Sequence, residues 1–203
     1  MAVSVRISDL VEYLQNFGVS DALIPLLIMT ASFESGLNND VIGTNTNGTK
    51  DYGVYQVNVE GFYKNRDENK PDETLTTFFK ESGKEYTQKE FVNKINNNEK
   101  FASQFVAHYI KRLSDNPKSF GTDGDPLNKW NAYKDYVVPF TKGKKIDRDL
   151  ESVTDAIGAY VNSYMQVKSK EFGNLFDYDS SSIANIPSPN EGNNGWKRLD
   201  SIS

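Results

Sequence analysis

Two carboxyl side chains, Glu34 and Asp51, stand 17 residues apart in unlike surroundings. Glu34 closes an apolar run, Ala22-Leu23-Ile24-Pro25-Leu26-Leu27-Ile28-Met29, continued by Thr30-Ala31-Ser32-Phe33. A helix of that sequence is apolar almost all round and belongs deep in a core. A carboxyl at its end is poorly solvated, which favours the neutral acid. Asp51 instead lies among Asn45, Thr46, Asn47, Thr49 and Asn58, whose hydrogen-bond donors favour a carboxylate. One carboxyl that keeps its proton and one that loses it are what glycosidic bond cleavage needs. The first donates to the leaving oxygen, and the second meets the positive charge developing on the sugar.

The plain alternative is a helix-end glutamate followed by a surface hairpin. The whole string argues against it: Phe33-Glu34-Ser35-Gly36-Leu37-Asn38 runs on to Asn45-Thr46-Asn47-Gly48-Thr49-Lys50-Asp51-Tyr52-Gly53-Val54-Tyr55-Gln56-Val57-Asn58. It resembles, without a gap, the catalytic segment of animal (c-type) lysozymes, with F-E-S, N-x-N-T-x-G, D-Y-G and Q-x-N in register. A second stretch, Asp123-Gly124-Asp125-Pro126-Leu127-Asn128-Lys129-Trp130-Asn131-Ala132-Tyr133, is similar to the D-G-x-x-M-N-x-W-x-A-W segment of that family. The resemblance covers residues 20–60 and 100–140 and little else.

The resemblance implies a role for each matching residue. Glu34 would be the general acid and then the general base, and Asp51 the nucleophile or charge stabiliser. Trp130 would pack against Glu34 and help keep it protonated. Asn45 and Asn58 would orient Asp51 and touch sugar. Gln56 would support the strand floor of the cleft, and Asp123 would line an outer sugar subsite. The backbone near Asn58 and Lys129 would bind an N-acetyl group. Gly61 and Phe62 stand in place of the tryptophan pair that many c-type lysozymes carry, leaving Phe62 as the aromatic candidate there. The family's disulfides are absent, and the chain between Asn58 and Trp130 is longer than in the family. The Glu-Ser-Gly step is also similar to the E-S-x motif of lytic transglycosylases, which act without the aspartate.

Helical spacing of Leu10, Val11, Leu14 and Phe17, stopped by Gly18, predicts a helix over 8–17. A second covers 21–35, with Ser20 or Asp21 as its cap, Pro25 in its first turn and Gly36 as its end. Turn residues over 38–63 surround Tyr52-Gly53-Val54-Tyr55-Gln56-Val57 and predict a short hairpin sheet, with Asp51 at the start of an alternating strand. The polar, Lys/Asn-rich stretch 64–98 holds two short helices, at Thr74–Phe79 and Phe91–Ile95. Phe101, Phe105, Tyr109 and Leu113 mark a helix over 99–115. Asp125 and Pro126 open another, with Trp130 and Tyr133 facing inward. Ile146, Leu150, Val153, Ile157, Tyr160, Val161 and Tyr164 mark a last long helix. His108, the one histidine, is expected to pack or to face solvent.

The expectation is an α+β, mainly helical domain over 1–176, with a lysozyme-like fold and a small antiparallel hairpin sheet forming one wall of an active-site cleft. After it, 177–203 reads as an extended tail with isolated Ile183, Ile186, Trp196 and Leu199. That tail is either slack or a peptide that docks on a neighbouring protein. The net charge of −5 argues against nucleic-acid binding and against unaided attraction to an anionic wall. There is no cysteine, no metal-ligand cluster, no phosphate loop and no apolar run long enough for a membrane span, so neither cofactor nor metal is expected. The first nine residues lack the apolar centre of a signal peptide. The resemblance implies an enzyme that cuts peptidoglycan, and these features together point to a bacteriophage protein, made in the bacterial cytoplasm and carried in the virion, where the tail would dock on other virion proteins. A free endolysin, a lytic transglycosylase and a non-catalytic virion module with the same fold are the alternatives.

Overall fold

A computed structural model of the protein describes residues 4–64 and 70–171. The end of the expected domain at 176 and the 177–203 tail, with its four apolar anchors, lie outside the described residues. The fold is mainly helical with one small two-stranded antiparallel sheet.

Helix α1 (Ile7–Asn16) buries Leu10, Val11 and Leu14, the face its spacing predicts. Helix α2 (Ile24–Ser35) lies at the centre, and nine of its side chains, from Ile24 to Ser35, are buried. It starts later than predicted. Neither Ser20 nor Asp21 caps it through a side chain; instead the Ser20 carbonyl accepts from the N–H groups of Leu23 (2.9 Å) and Ile24 (3.3 Å). Asp21 is taken by Gln15 Nε2 (3.0 Å). Pro25 in the first turn has no N–H to satisfy, so a side-chain cap is dispensable. Gly36, at φ 60°, ends the helix with its N–H on Ser32 O.

Strands β1 (Ile42–Thr44) and β2 (Lys50–Tyr52) pair antiparallel, Gly43 opposite Asp51. Asp51 is thus in the middle of β2, and the alternating stretch expected to continue the strand does not. Residues 53–57 curl into a tight turn in which Tyr52 and Val57 exchange backbone hydrogen bonds (3.0 and 2.9 Å). Gly53 (φ 70°) and Gln56 (φ 47°) take left-handed backbone there, which no strand accommodates. Tertiary bonds hold the turn: Ser35 Oγ donates to Val54 O (2.7 Å) and Trp130 Nε1 to Tyr55 O (2.9 Å).

The polar stretch after the sheet is a structural buttress. Helices α3 (Glu73–Ser82) and α4 (Gln88–Asn97) pack on α5 (Glu99–Asp115) through a cluster of rings, with Phe78 edge-on to Phe91, Phe101 and Phe105 at 5.3–6.0 Å. His108 ties α5 to α3, its Nδ1 2.8 Å from Glu81 Oε2 and its Nε2 3.1 Å from Thr77 Oγ1. The C-terminal end of α4 abuts the sheet turn, where Gly53 N–H reaches Asn96 Oδ1 (3.2 Å). A methyl group on Gly53 would run into the Ile95 carbonyl oxygen. Gly53→Ala is therefore expected to destabilise the protein by about 3 kcal/mol, combining left-handed strain with overpacking. Urea unfolding checks this, and a loss well under ~1 kcal/mol would show that α4 can yield.

Helix α6 (Pro117–Phe120) follows, then a 3₁₀ turn over Pro126–Lys129, a π-helical turn over Tyr133–Val137 and helix α7 (Val138–Thr141). The single helix predicted after Asp125 is thus broken. Asp125 does cap the first turn, accepting from Leu127 N–H (3.0 Å), and Tyr133 donates to its other oxygen (2.6 Å). Trp130 then turns extended, at ψ 129°, which brings its indole inward to Tyr55.

The last described helix, α8 (Leu150–Glu171), packs mainly on α2. Of the residues expected to mark it, Ile146 lies before the helix and is buried, and Val153, Ile157 and Tyr160 pack half-buried against the core. Leu150 is 80% exposed, while Ala156, Ala159, Ser163 and Val167 are buried. Small residues at spacings of three and four let α8 approach the all-apolar α2 closely, so the larger side chains flank the contact.

Candidate active site

The end of α2, the sheet and the Trp130 segment meet around a cleft of about 510 Å³. Glu34 comes from the last turn of α2 and Asp51 from β2, and both line it. The chain reversal after Gly36 aims the sheet back at the helix end, and Ser35 locks the two together by its bond to Val54 O.

Glu34 is largely withdrawn from water. Its Oε1 accepts a hydrogen bond from the Ala132 N–H (3.2 Å). Burial pushes its carboxyl above the ordinary glutamate value of 4.5; the Ala132 bond opposes this, the Asp51 charge adds to it, and Arg148 weakly opposes it. Trp130 lines the same cleft two residues before Ala132. It is 7% exposed, and its bond to Tyr55 O sets the indole at the cleft wall.

Asp51 is clasped by two amides. Asn45 Nδ2 donates to Oδ2 (3.0 Å) and Asn58 Nδ2 to Oδ1 (2.7 Å). The orientation of Asn58 is set independently, because its Oδ1 accepts from the Gly61 N–H (3.0 Å). Behind both amides lies Thr49, buried, whose hydroxyl accepts from Asn45 (3.1 Å) and Asn58 (3.0 Å) and donates to Asn47 Oδ1 (2.7 Å). Thr49 is thus the hub that fixes the clasp, and Asn47 acts as an acceptor one step further back. Sequence reading grouped both with the donors around Asp51, because spacing does not tell an acceptor from a donor.

The other expected site residues divide. Gln56 lines the cleft, yet both its N–H groups are spent on Val41 O (3.0 Å) and Gly53 O (2.9 Å), so it braces the sheet turn. Phe62 contributes to the wall but is only 9% exposed, its ring edge-on to Phe105 and Tyr109. Asp123 is not brought to the cleft; it is exposed on a turn at φ 52°. Asp72, Tyr109, Phe120 and Asn131 line the cleft without having been singled out for it. Tyr109 showed only helical periodicity and Asp72 only a polar stretch, so neither carried a local signal of the cleft. Among the described residues no group of three His, Cys, Asp or Glu could hold a metal ion, and no helix is long and apolar enough to cross a membrane.

A desolvated carboxyl and a second carboxyl held by two amide N–H donors line the same cleft, and such a pair suits proton transfer and charge stabilisation. No family model and no curated protein matches the chain.

Proposed function

We propose that the protein is a lysozyme-type glycoside hydrolase that cleaves the β-1,4 bond between N-acetylmuramic acid and N-acetylglucosamine in peptidoglycan. The observation that carries this reading is the unlike carboxyl pair in one cleft, Glu34 lifted by burial and Asp51 clasped by Asn45 and Asn58. Glu34 protonates the leaving oxygen, Asp51 meets the charge at the anomeric carbon, and Glu34 then activates water. The clasp favours hydrolysis over lytic transglycosylation, which has no use for a positioned aspartate. The net charge of −5 fits an enzyme delivered to the wall by other components, and we place it in a phage virion, on the tail or injection apparatus, with the C-terminal segment as the element that docks there. Zymography on purified peptidoglycan, with mass analysis of the products, tests the reading. Products with a water added and a free reducing end support it; 1,6-anhydro ends, or no cleavage, overturn it.

The Trp130 wall has its own signature. Trp130 and Glu34 line the same cleft, so Trp130→Ala is expected to open Glu34 to water, lower its pKa and move the limb on which activity is lost with rising pH to lower pH. The same change leaves Tyr55 O without its indole donor and is expected to cost about 3–5 kcal/mol of stability. A pH–rate profile paired with a thermal melt reads both; an unmoved limb in a folded variant removes Trp130 from the tuning of Glu34.

A further inference from the structure

The cleft has a second polar centre. Asp72, from the Lys/Asn-rich stretch, lines it together with Tyr109 of α5 and Phe120 of α6. Tyr109 is the middle of a wall of rings: Phe62 stands edge-on to it at 5.0 Å, Trp130 at 6.0 Å and Phe120 at 6.4 Å. Asp72 is fixed at the foot of that wall, since its N–H bonds Phe62 O (2.7 Å) and its Oδ1 caps α3 by accepting from Leu75 N–H (2.9 Å).

A carboxylate has about four acceptor positions, so capping does not exhaust it. Nor is its charge paired among the described residues: Arg112, whose field reaches Asp72, makes its ion pair with Glu73 (3.2 Å). Burial lifts the Asp72 carboxyl, and the hydrogen bonds from Leu75 and Thr74 only partly offset this. A half-buried carboxyl, unpaired among the described residues, in a cleft lined by aromatic rings is the chemistry that holds a sugar, with C–H groups against the rings and O–H or N–H groups on the carboxylate.

We propose that Asp72 and Tyr109 form a second sugar position in this cleft, where the Asp72 carboxylate accepts hydrogen bonds from hydroxyl or N-acetyl N–H groups of a ring lying against Tyr109 and Phe120. The proposal rests on the glycan-hydrolase reading and concerns how the strand is gripped, not how the bond is broken. Asp123, turned outward, leaves the task of a sugar-binding carboxyl to a residue from an unrelated part of the chain.

Asp72→Asn is the test, because asparagine caps a helix as well as aspartate does while removing the charge. Phe120→Ala is its companion: Phe120 is only partly buried at the edge of the core, so the truncation removes less packing than a core deletion would. With soluble glycan strands prepared from peptidoglycan, Asp72→Asn is expected to raise KM about tenfold, the worth of one hydrogen bond to a charged group, with kcat little changed. Phe120→Ala is expected to raise KM in the same direction. An unchanged KM in folded Asp72→Asn overturns the proposal and leaves Asp72 a helix cap only. If Asp72→Asn does not fold, an unchanged KM in Phe120→Ala overturns it. Wild-type protein that cleaves no strand overturns the hydrolase reading and this one with it; wild-type cleavage with both variants unaltered overturns this one alone.

Discussion

Glu34→Gln is expected to lower peptidoglycan cleavage by about 10²–10⁴-fold, the worth of a positioned general acid, while the protein at neutral pH melts at the same temperature or higher. The amide keeps an oxygen for the Ala132 N–H but has no proton to give the leaving group. The stability half of this expectation follows from proton linkage. Burial raises the folded-state pKa of Glu34 above its ordinary 4.5, so the folded protein holds this proton more tightly than the unfolded chain does. From 4.5 upward the unfolded chain ionises first, and wild-type stability falls until pH passes the folded-state value. Glutamine has no such equilibrium and no repulsion from Asp51, so the variant escapes that loss. Turbidity clearing of cell walls reads the first half, and calorimetry on both sides of the window reads the second. Near-wild-type activity would dismiss Glu34 as the acid, and a melt that drops at neutral pH would show that its charge is not strained.

Asp51→Asn is expected to cost about 10²–10³-fold in turnover, the scale of removing one preorganised electrostatic group from a transition state. It also disturbs the clasp. Asn45 and Asn58 each present an N–H to one Asp51 oxygen, and an asparagine there offers one oxygen and one competing NH₂. Asn58 cannot turn to suit without giving up the Gly61 N–H, so the mismatch falls on Asn45 or on the new side chain. Losing the Asp51 charge also removes one of the influences that raise Glu34, so the limb set by Glu34 moves to lower pH. Residual products should still carry a reducing end. A mild loss with 1,6-anhydro products would make Glu34 the sole catalyst and the enzyme a transglycosylase.

The sequence by itself determined the elements whose residues carry their own signal. Leu10, Val11 and Leu14 repeat at helical spacing and are buried on α1. The apolar run before Glu34 has no polar face, so α2 could only be central, and a carboxyl at its end could only be poorly hydrated. The amide-rich string around Asp51 likewise announced Asn45 and Asn58 as its donors, because they lie within a few residues of it, but not that Asn47 accepts instead. Tertiary structure alone decided what depends on distant contact. Tyr52 to Val57 alternates like a strand, yet bonds from Ser35 and Trp130 and the end of α4 against Gly53 fold it into a turn. The large residues of α8 marked the helix, and Val153, Ile157 and Tyr160 do pack half-buried on the core, but fit against α2 put Ala156, Ala159 and Ser163 at the fully buried positions. Asp123 carried the motif and faces solvent, whereas Asp72 and Tyr109 carried none and line the cleft. A motif records local geometry. Which side chains share a cleft is set by how helices far apart in sequence pack, and that is a property of shape and volume, not of spacing.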